Sequence, residues 1–236
     1  MSVAARLLGL ACLLGAAPAS SAQALQAEIR PSLSPDQLGA RAAFTFAFAL
    51  GASEGAPPPP LRVVVVHLPA GLGLDVRGVA TCPPGRLRSG GAAACPAGSL
   101  IGRGRSLLEV HAGSQTIPEE ATVEALRAPD RRGRVQLEIV AQGETPLQQR
   151  TISTAGLSAD RAPFGSELSV LIPPIPTLAF EPDASILSWS LTVPASGARG
   201  LLTVPRRCPA GGFPFAADFG FADHTHVRAS ARVRCP

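Results

Sequence analysis

The sequence of 236 residues contains no lysine, no asparagine and no tyrosine, and all 21 of its basic residues are arginine. Without lysine it cannot form a lysine Schiff base or a phosphate-binding Gly-Lys-Ser/Thr loop, and without asparagine it has no N-glycosylation acceptor. The single tryptophan, Trp189, and the phenylalanines fall on core-facing positions of predicted strands, which leaves no platform for stacking bases. We therefore expect no nucleic-acid partner, and no motif indicates a cofactor.

Residues 1–24 have the features of a secretory signal peptide. Arg6 gives a positive start, residues 7–17 form a short apolar segment, and small residues at 20–24 offer cleavage sites. No later apolar run reaches the roughly 20 residues that a membrane helix needs. The sequence therefore predicts a secreted, extracellular protein without a transmembrane anchor, whose mature domain covers residues 25–236.

The mature chain is organised around Leu61–Leu68, an apolar segment with four consecutive valines. Residues branched at Cβ favour strands, and an unbroken apolar run indicates a central strand covered on both faces. Alternating apolar residues mark further strands, most clearly over 41–50 and 213–221, whereas no helical period is evident. Short strands between Gly/Pro turns predict an all-β fold, an antiparallel immunoglobulin-like β-sandwich of about a dozen strands. This domain is either one sandwich or two packed sub-sandwiches with a boundary near residues 113–118.

Four cysteines follow the predicted leader, Cys82, Cys95, Cys208 and Cys235, and each is followed by proline. Cys-Pro sequences also occur in metal sites, but those need a second cysteine about three residues further on, and none is present here. An even number of cysteines in an exported chain favours disulfides. Of the three pairings, short loops favour Cys82–Cys95 with Cys208–Cys235, each worth roughly 3 kcal/mol.

No catalytic motif is complete in this sequence, and we assign no catalytic residue. The nearest match to the Gly-x-Ser-x-Gly nucleophile motif is Gly156–Asp160, which ends in aspartate instead of glycine. Glu119 and Glu120 could supply an acid or a base. Because neighbouring strand residues point to opposite faces, both carboxylates are expected to be solvated.

The best candidate metal ligands are His224 and His226, which share one face if their segment is a strand. A third ligand would have to come from Asp218 or Asp223. The favoured interpretation is an exposed hairpin loop without a metal. His67 lies at the end of an apolar strand and is expected to be a partly buried structural residue.

The register of the last hairpin follows from the alternation in its two arms. Directly paired residues must share a face of the sheet. A three-residue loop at Asp223–Thr225 satisfies this condition by pairing Phe221 with Val227 and Phe219 with Ala229. Loops of this length are common in hairpins.

Four arginines, Arg86, Arg88, Arg103 and Arg105, flank the first predicted disulfide. Closing that bridge would gather their guanidinium groups, whose planar forks suit phosphate and carboxylate groups. The sequence therefore predicts an anionic-ligand patch whose partner is an anionic cell-envelope polymer. The alternative is that arginine replaces lysine on an ordinary surface because of codon bias.

Three stretches of the chain carry a resemblance: Val-Val-Val-His-Leu-Pro-Ala-Gly-Leu at 64–72, Cys-Pro-Ala-Gly-Ser-Leu-Ile-Gly at 95–102, and the segment 208–223 that begins with Cys-Pro-Ala-Gly-Gly. Together they resemble uncharacterised exported β-sandwich proteins of GC-rich actinobacteria. In that group the last hairpin turns through Asp-Gly-Thr, where this chain has Asp-His-Thr at 223–225. The resemblance implies a fold and an envelope location, and it implies neither an activity nor a functional residue.

Two functions from different classes are consistent with these features. The first is a secreted, non-catalytic protein with a binding, adhesion or structural role at the cell envelope. The second is a secreted hydrolase whose site is built from dispersed residues. Since β-sandwiches host both, converging Ser, His and Asp side chains or paired carboxylates in a cleft would favour the hydrolase.

Overall fold

The structure is a computed structural model that describes residues 24–113, 115–195 and 201–235. The predicted signal peptide at residues 1–24 lies outside the described residues except for Ala24. The described chain is all-β, as predicted, and its strands are antiparallel. The strands are β1 (Leu25–Ser34), β2 (Arg41–Ala52), β3 (Leu61–Pro69), β4 (Gly73–Leu74), β5 (Leu100–Ala112), β6 (Gln115–Arg131), β7 (Arg134–Gly143), β8 (Arg150–Ala159), β9 (Phe164–Leu171), β10 (Ser185–Val193), β11 (Leu202–Thr203), β12 (Phe213–Phe221) and β13 (His226–Val233).

The strands form one hydrogen-bonded sheet in the order β13-β12-β3-β9-β8-β7-β6-β5-β10-β2-β11-β4, with β1 on the other side of β2. The sheet curves until Cα atoms of β1 lie within 8 Å of Cα atoms of β13. A sandwich of two sheets and an immunoglobulin-like order are not confirmed. Near the suggested boundary at 113–118, Ala112 pairs with Gln115 and Val110 pairs with Ile117, and this β5–β6 pairing continues along both strands.

The curvature of the sheet creates an inner face that holds the hydrophobic core. The alternating phenylalanines of β2 point inward as predicted, and β2 faces β12 across the interior. Phe44 stacks on Phe215 with ring centroids 5.7 Å apart, and Phe48 meets Phe219 edge-on at 5.1 Å. Aromatic pairs in these arrangements add to the stability gained from burial alone.

The valine-rich strand β3 lies between β12 and β9, which confirms its central position. Its inward residues Val64 and Val66 are buried, whereas Val63 and Val65 on the outer face are only half-buried. The expectation that both faces are covered is therefore wrong for the outer face. The cover on the outer side of the sheet packs on β6, β7 and β8 instead.

That cover is a short helix, α1 (Pro84–Gly90), which the sequence did not indicate because seven residues show no clear helical period. Proline suits the first helical position, where no hydrogen bond from its nitrogen is needed, and Gly91 ends the helix with a φ of 68°. Leu87 is completely buried against Leu126 of β6 and Val140 of β7.

Both predicted disulfides are present. Cys82–Cys95 joins the segment before α1 to the segment after it, with Cα atoms 5.2 Å apart. Cys82 is completely buried and belongs to the same apolar cluster as Leu87, Leu126 and Val140. Cys208–Cys235 joins the chain just before β12 to the chain just after β13. The first bridge fixes the outer cover, and the second fixes the base of the last hairpin.

The predicted register of the last hairpin is wrong by two residues. The structure pairs Phe219 with Val227 and Phe213 with Val233. The loop has three residues as expected, but it spans 222–224, because the Phe221 N–H donates to the Thr225 carbonyl at 3.0 Å. Asp223 stabilises this position by accepting hydrogen bonds from the backbone N–H and hydroxyl of Thr225.

The third loop position explains the shift. His224 adopts a left-handed φ of 66°, as the last residue of a three-residue hairpin loop commonly does. Glycine adopts this conformation without strain, whereas other residues rarely do. A register shift of two residues keeps every side chain on its expected face of the sheet. The alternation therefore predicted the faces of the hairpin residues correctly but not their cross-strand partners.

Candidate functional site

The inner face of the sheet lines a partly open cavity of about 280 Å³, which we call the interior cavity. Its wall is built from β2–β5 and β7–β11, together with residues that follow β3 and β9. Protein interiors normally contain few voids larger than a water molecule. A cavity of this size is therefore an unusual feature of the fold.

The wall of the interior cavity is almost entirely apolar. Among the described residues that line it, four carry a hydroxyl group and none is charged. Trp189 forms part of this wall, where its ring stacks on Phe48 with centroids 5.7 Å apart. The prediction that Trp189 faces the core is confirmed, although its side chain is only half-buried.

The outer face of β3 carries a second group of side chains, the His67 cluster (His67, Asp160, Glu167, Asp218 and Arg228). The His67 side chain is 12% exposed. Its Nδ1 lies 2.7 Å from Oδ2 of Asp160, and its Nε2 lies 2.8 Å from Oδ2 of Asp218. On the far side, Arg228 donates to both oxygens of Asp218 at 2.9 and 2.7 Å.

The sheet pairing explains why these residues meet. His67 of β3 pairs directly with Glu167 of β9, and Glu167 pairs with Ser158 of β8. Asp218 of β12 pairs directly with Arg228 of β13. The Ser158 hydroxyl donates to Oε1 of Glu167 at 3.0 Å. The result is a row of polar side chains across five strands on the outer face.

The electrostatics of the cluster follow from these contacts. Burial alone would lower the pKa of His67, but its hydrogen bonds to Asp160 and Asp218 outweigh burial and raise that pKa. For Asp160, burial would raise the pKa, and the hydrogen bonds from His67 and from the Arg161 N–H lower it overall. His67 is partly buried, as expected from its strand end, and it also links two carboxylates.

The cluster does not form a nucleophile–base pair. Both ring nitrogens of His67 face carboxylates, and the hydroxyl of Ser158 faces Glu167 instead of the imidazole. A serine hydrolase needs the hydroxyl within hydrogen-bond reach of its base. The convergence of Ser, His and Asp that would favour a hydrolase is therefore present in composition, but its geometry lacks the essential contact.

The histidines selected from the sequence do not join this cluster. His224 lies in the hairpin loop and His226 begins β13, and both are exposed. Among the described residues, the group that could hold a metal ion is His67, Asp160 and Glu167. Sequence patterns missed it, because His67 and Glu167 come from separate strands and Asp160 from the end of a third, and only the sheet pairing brings them together.

Two buried carboxylates lie on opposite faces of the sheet, because Glu119 shares the face of the core residue Ala121 and Glu138 shares the face of Val140. Glu119 is 2% exposed, so its predicted solvation is wrong, and one of its oxygens accepts a hydrogen bond from the Leu147 N–H at 2.7 Å. Glu138 is 6% exposed, and burial raises its pKa against the opposing effects of the Thr154 hydroxyl and the Arg88 charge.

The four arginines of the predicted patch come from two elements. Arg86 and Arg88 are exposed residues of α1, and Arg103 and Arg105 are exposed residues of β5. Arg103 donates to Glu124 at 3.1 Å, which neutralises part of its charge. Binding of an anionic polymer to this patch stays a prediction.

Fold and site together define an all-β, disulfide-linked protein with a large apolar interior cavity. No protein-family model, curated protein or solved structure matches this chain. The resemblance noted in its Cys-Pro segments therefore stays a prediction. In the described parts of the chain, no helix has the length and apolar character needed to cross a membrane.

Proposed function

We propose that this chain is a non-catalytic binding protein, exported to the cell envelope or beyond it, whose interior cavity holds a compact apolar ligand. The observation that carries the proposal is the cavity of about 280 Å³ with an uncharged wall. An apolar cavity of roughly 150 Å³ already binds benzene. A ligand that fills this larger volume would offset much of the packing free energy that the core otherwise lacks.

The wall also limits the chemistry of the ligand. A carboxylate or phosphate inside the cavity would lose its hydration without gaining a charged partner, which is strongly unfavourable. The four hydroxyl groups can satisfy a single ester or hydroxyl oxygen. We infer that the ligand is an uncharged alkyl compound, such as an alcohol or the acyl part of an ester. The hydroxyl-bearing wall residues are Ser106, Thr151, Ser153 and Ser166.

Export is supported by the two disulfides, which persist in oxidising compartments. The signal-peptide features of residues 1–24 support it from the sequence. Acyl lipids are abundant at a cell envelope, so a protein located there would meet ligands of the inferred class.

Calorimetric titration with a series of 1-alkanols tests the proposal. Each added methylene buried in the cavity contributes about 0.8 kcal/mol, which is about fourfold in affinity. We expect affinity to rise with chain length and to level off when the cavity is full. Decanol should bind more tightly than decanoate at neutral pH.

A matched pair of variants assigns the binding to the cavity. Ala141→Phe adds a ring to the cavity wall, whereas Ala93→Phe adds the same ring at an exposed position beside α1, on the outer side of the sheet. The first should lose alkanol binding and the second should retain it. Equal binding by both variants, or no chain-length dependence in the native protein, would contradict the proposal.

A further inference from the structure

The outer-face His67 cluster places three potential metal ligands from different strands close together. These are Nδ1 of His67 on β3, a carboxylate oxygen of Asp160 after β8, and a carboxylate oxygen of Glu167 on β9. All three ligand atoms lie within 4.8 Å of one another. His67 and Glu167 are direct partners across hydrogen-bonded strands, so the rigid part of the sheet fixes their separation.

This donor set has a defined chemistry. One imidazole nitrogen and two carboxylate oxygens suit divalent first-row ions, and zinc binds such donors at about 2.0–2.2 Å. Donors arranged tetrahedrally at that distance lie roughly 3.4 Å apart. The separations in the cluster, all within 4.8 Å, are of the same order as this spacing.

The surroundings of the three ligands orient them for a metal. Histidines that bind metals commonly donate their other ring N–H to a carboxylate, which fixes the tautomer and the ring orientation. Asp218 holds this position at Nε2 of His67, at 2.8 Å, and Arg228 holds Asp218 in turn. Glu167 is oriented by the hydroxyl of Ser158 at 3.0 Å.

We propose that His67, Asp160 and Glu167 bind one Zn²⁺ ion on the outer face of the sheet, with Asp218, Arg228 and Ser158 as positioning residues. With Nε2–H donated to Asp218, the lone pair of Nδ1 is directed at the metal, and the ion replaces the hydrogen bond between Nδ1 and Asp160. Three protein ligands leave the fourth position of the tetrahedron to a water molecule or an external ligand.

The site is independent of the interior cavity. Val66 and Leu68, the neighbours of His67 on β3, point into the cavity, while His67 points away from it. Alkanol titrations carried out with a metal chelator present therefore test the cavity alone. Failure of the metal proposal and failure of the cavity proposal remain distinguishable.

The experiment is a zinc titration of the purified chain with both disulfides formed, in competition with a chromophoric chelator. Co²⁺ substitution provides a second readout, because the visible spectrum of bound Co²⁺ reports its coordination. We expect one Zn²⁺ per chain. Glu167→Gln keeps the volume of the side chain and its ability to accept from Ser158, and it should weaken zinc binding at least tenfold.

The remaining variants separate the roles of the residues. Asp218→Asn should weaken zinc binding 10- to 100-fold without changing the stoichiometry, as expected for a residue that acts through a metal ligand. The double variant His224→Gln with His226→Gln changes the two exposed histidines selected from the sequence, and it should bind zinc like the native protein.

Three results would overturn the proposal. They are the absence of zinc binding by the native chain, unchanged affinity in Glu167→Gln, and loss of binding in the His224/His226 double variant. Any of these would leave the His67 cluster as an ion-paired network that only stabilises the fold. Circular dichroism of each variant confirms that it is folded, and the partly exposed Glu167 provides the decisive variant if Asp160→Asn unfolds.

Discussion

The two faces of the sheet differ most clearly along β3, where alternate residues serve different environments. Val64 and Val66 point inward to the wall of an apolar cavity, whereas Val63, Val65 and His67 point outward. On the inner face, the volume of a ligand would decide whether it binds, because the cavity wall carries no charge. The outer face selects by charge and geometry, because its carboxylates, imidazole and guanidinium groups lie at hydrogen-bond distances.

On the two proposals made above, one strand contributes to two unrelated binding sites. The period of two in a strand sends neighbouring residues to opposite faces, so a change on one face need not disturb the other. The same alternation predicts that substitutions will divide sharply between the faces, both in their effect on stability and in their effect on binding.

The largest difference in the free energy of unfolding is expected between the variants Phe219→Ala and Leu171→Ala. Phe219 of β12 is completely buried on the inner face, and Leu171 at the end of β9 is 61% exposed. Truncation of a buried phenylalanine costs about 3–5 kcal/mol, whereas truncation of the exposed leucine should cost little. Urea denaturation measures both. Similar losses in the two variants would mean that the inner face is not the core of the fold.

The next largest effect concerns the helix that covers part of the outer face. Replacing Cys82 and Cys95 by serine should lower the free energy of unfolding by about 3 kcal/mol. It should also increase hydrogen exchange at the amides of α1, because this disulfide brackets the helix. Replacing Cys208 and Cys235 by serine is the matched control, and exchange at α1 should stay slow in that variant.

A smaller effect, dependent on pH, is expected at Glu138. Its folded-state pKa is raised chiefly by burial, so the folded state holds this proton more tightly than the unfolded state does. The stability that the protonated Glu138 contributes is complete at pH values below its unfolded pKa, and it is lost as the pH rises through its folded pKa. Glu138→Gln, which carries no charge, should therefore gain stability relative to the native protein as the pH rises above the unfolded pKa of the glutamate. Denaturation midpoints that differ by the same amount at every pH would refute this assignment.

The smallest effect is expected for binding of the arginine patch to purified cell wall. Retention of the protein on purified cell wall should fall when Arg86, Arg88, Arg103 and Arg105 are changed to glutamine, and it should fade with added salt, because the Debye length is only about 8 Å at physiological ionic strength. The reduction should be modest, since Arg103 already pairs with Glu124. A control variant removes four other exposed arginines, Arg131, Arg132, Arg134 and Arg207. Equal retention of the two variants would leave the patch without a specific role.

Alternation and cysteine spacing predicted the parts of the fold that depend on local sequence. The inward phenylalanines of β2, the central position of β3 and both disulfides are confirmed. The partners in the last hairpin were missed because a left-handed His224 moves the loop by one residue, which no pattern of alternation reveals.

The candidate sites were less predictable for a related reason. The interior cavity depends on how far the two halves of the curved sheet stand apart, and its wall residues look like ordinary core residues in the sequence. The His67 cluster depends on the order β8-β9-β3-β12-β13, which brings distant segments together. Neither sheet curvature nor strand order is encoded in a short window of residues.

Fluorescence of Trp189 tests the central claim most directly, because this residue is the only tryptophan and lines the interior cavity. A brominated alkanol that enters the cavity should quench its emission by direct contact. We predict saturable quenching in the native protein and in Ala93→Phe, and none in Ala141→Phe. Quenching that rises linearly without saturation, or that is equal in all three proteins, would contradict the account of a ligand-binding inner face.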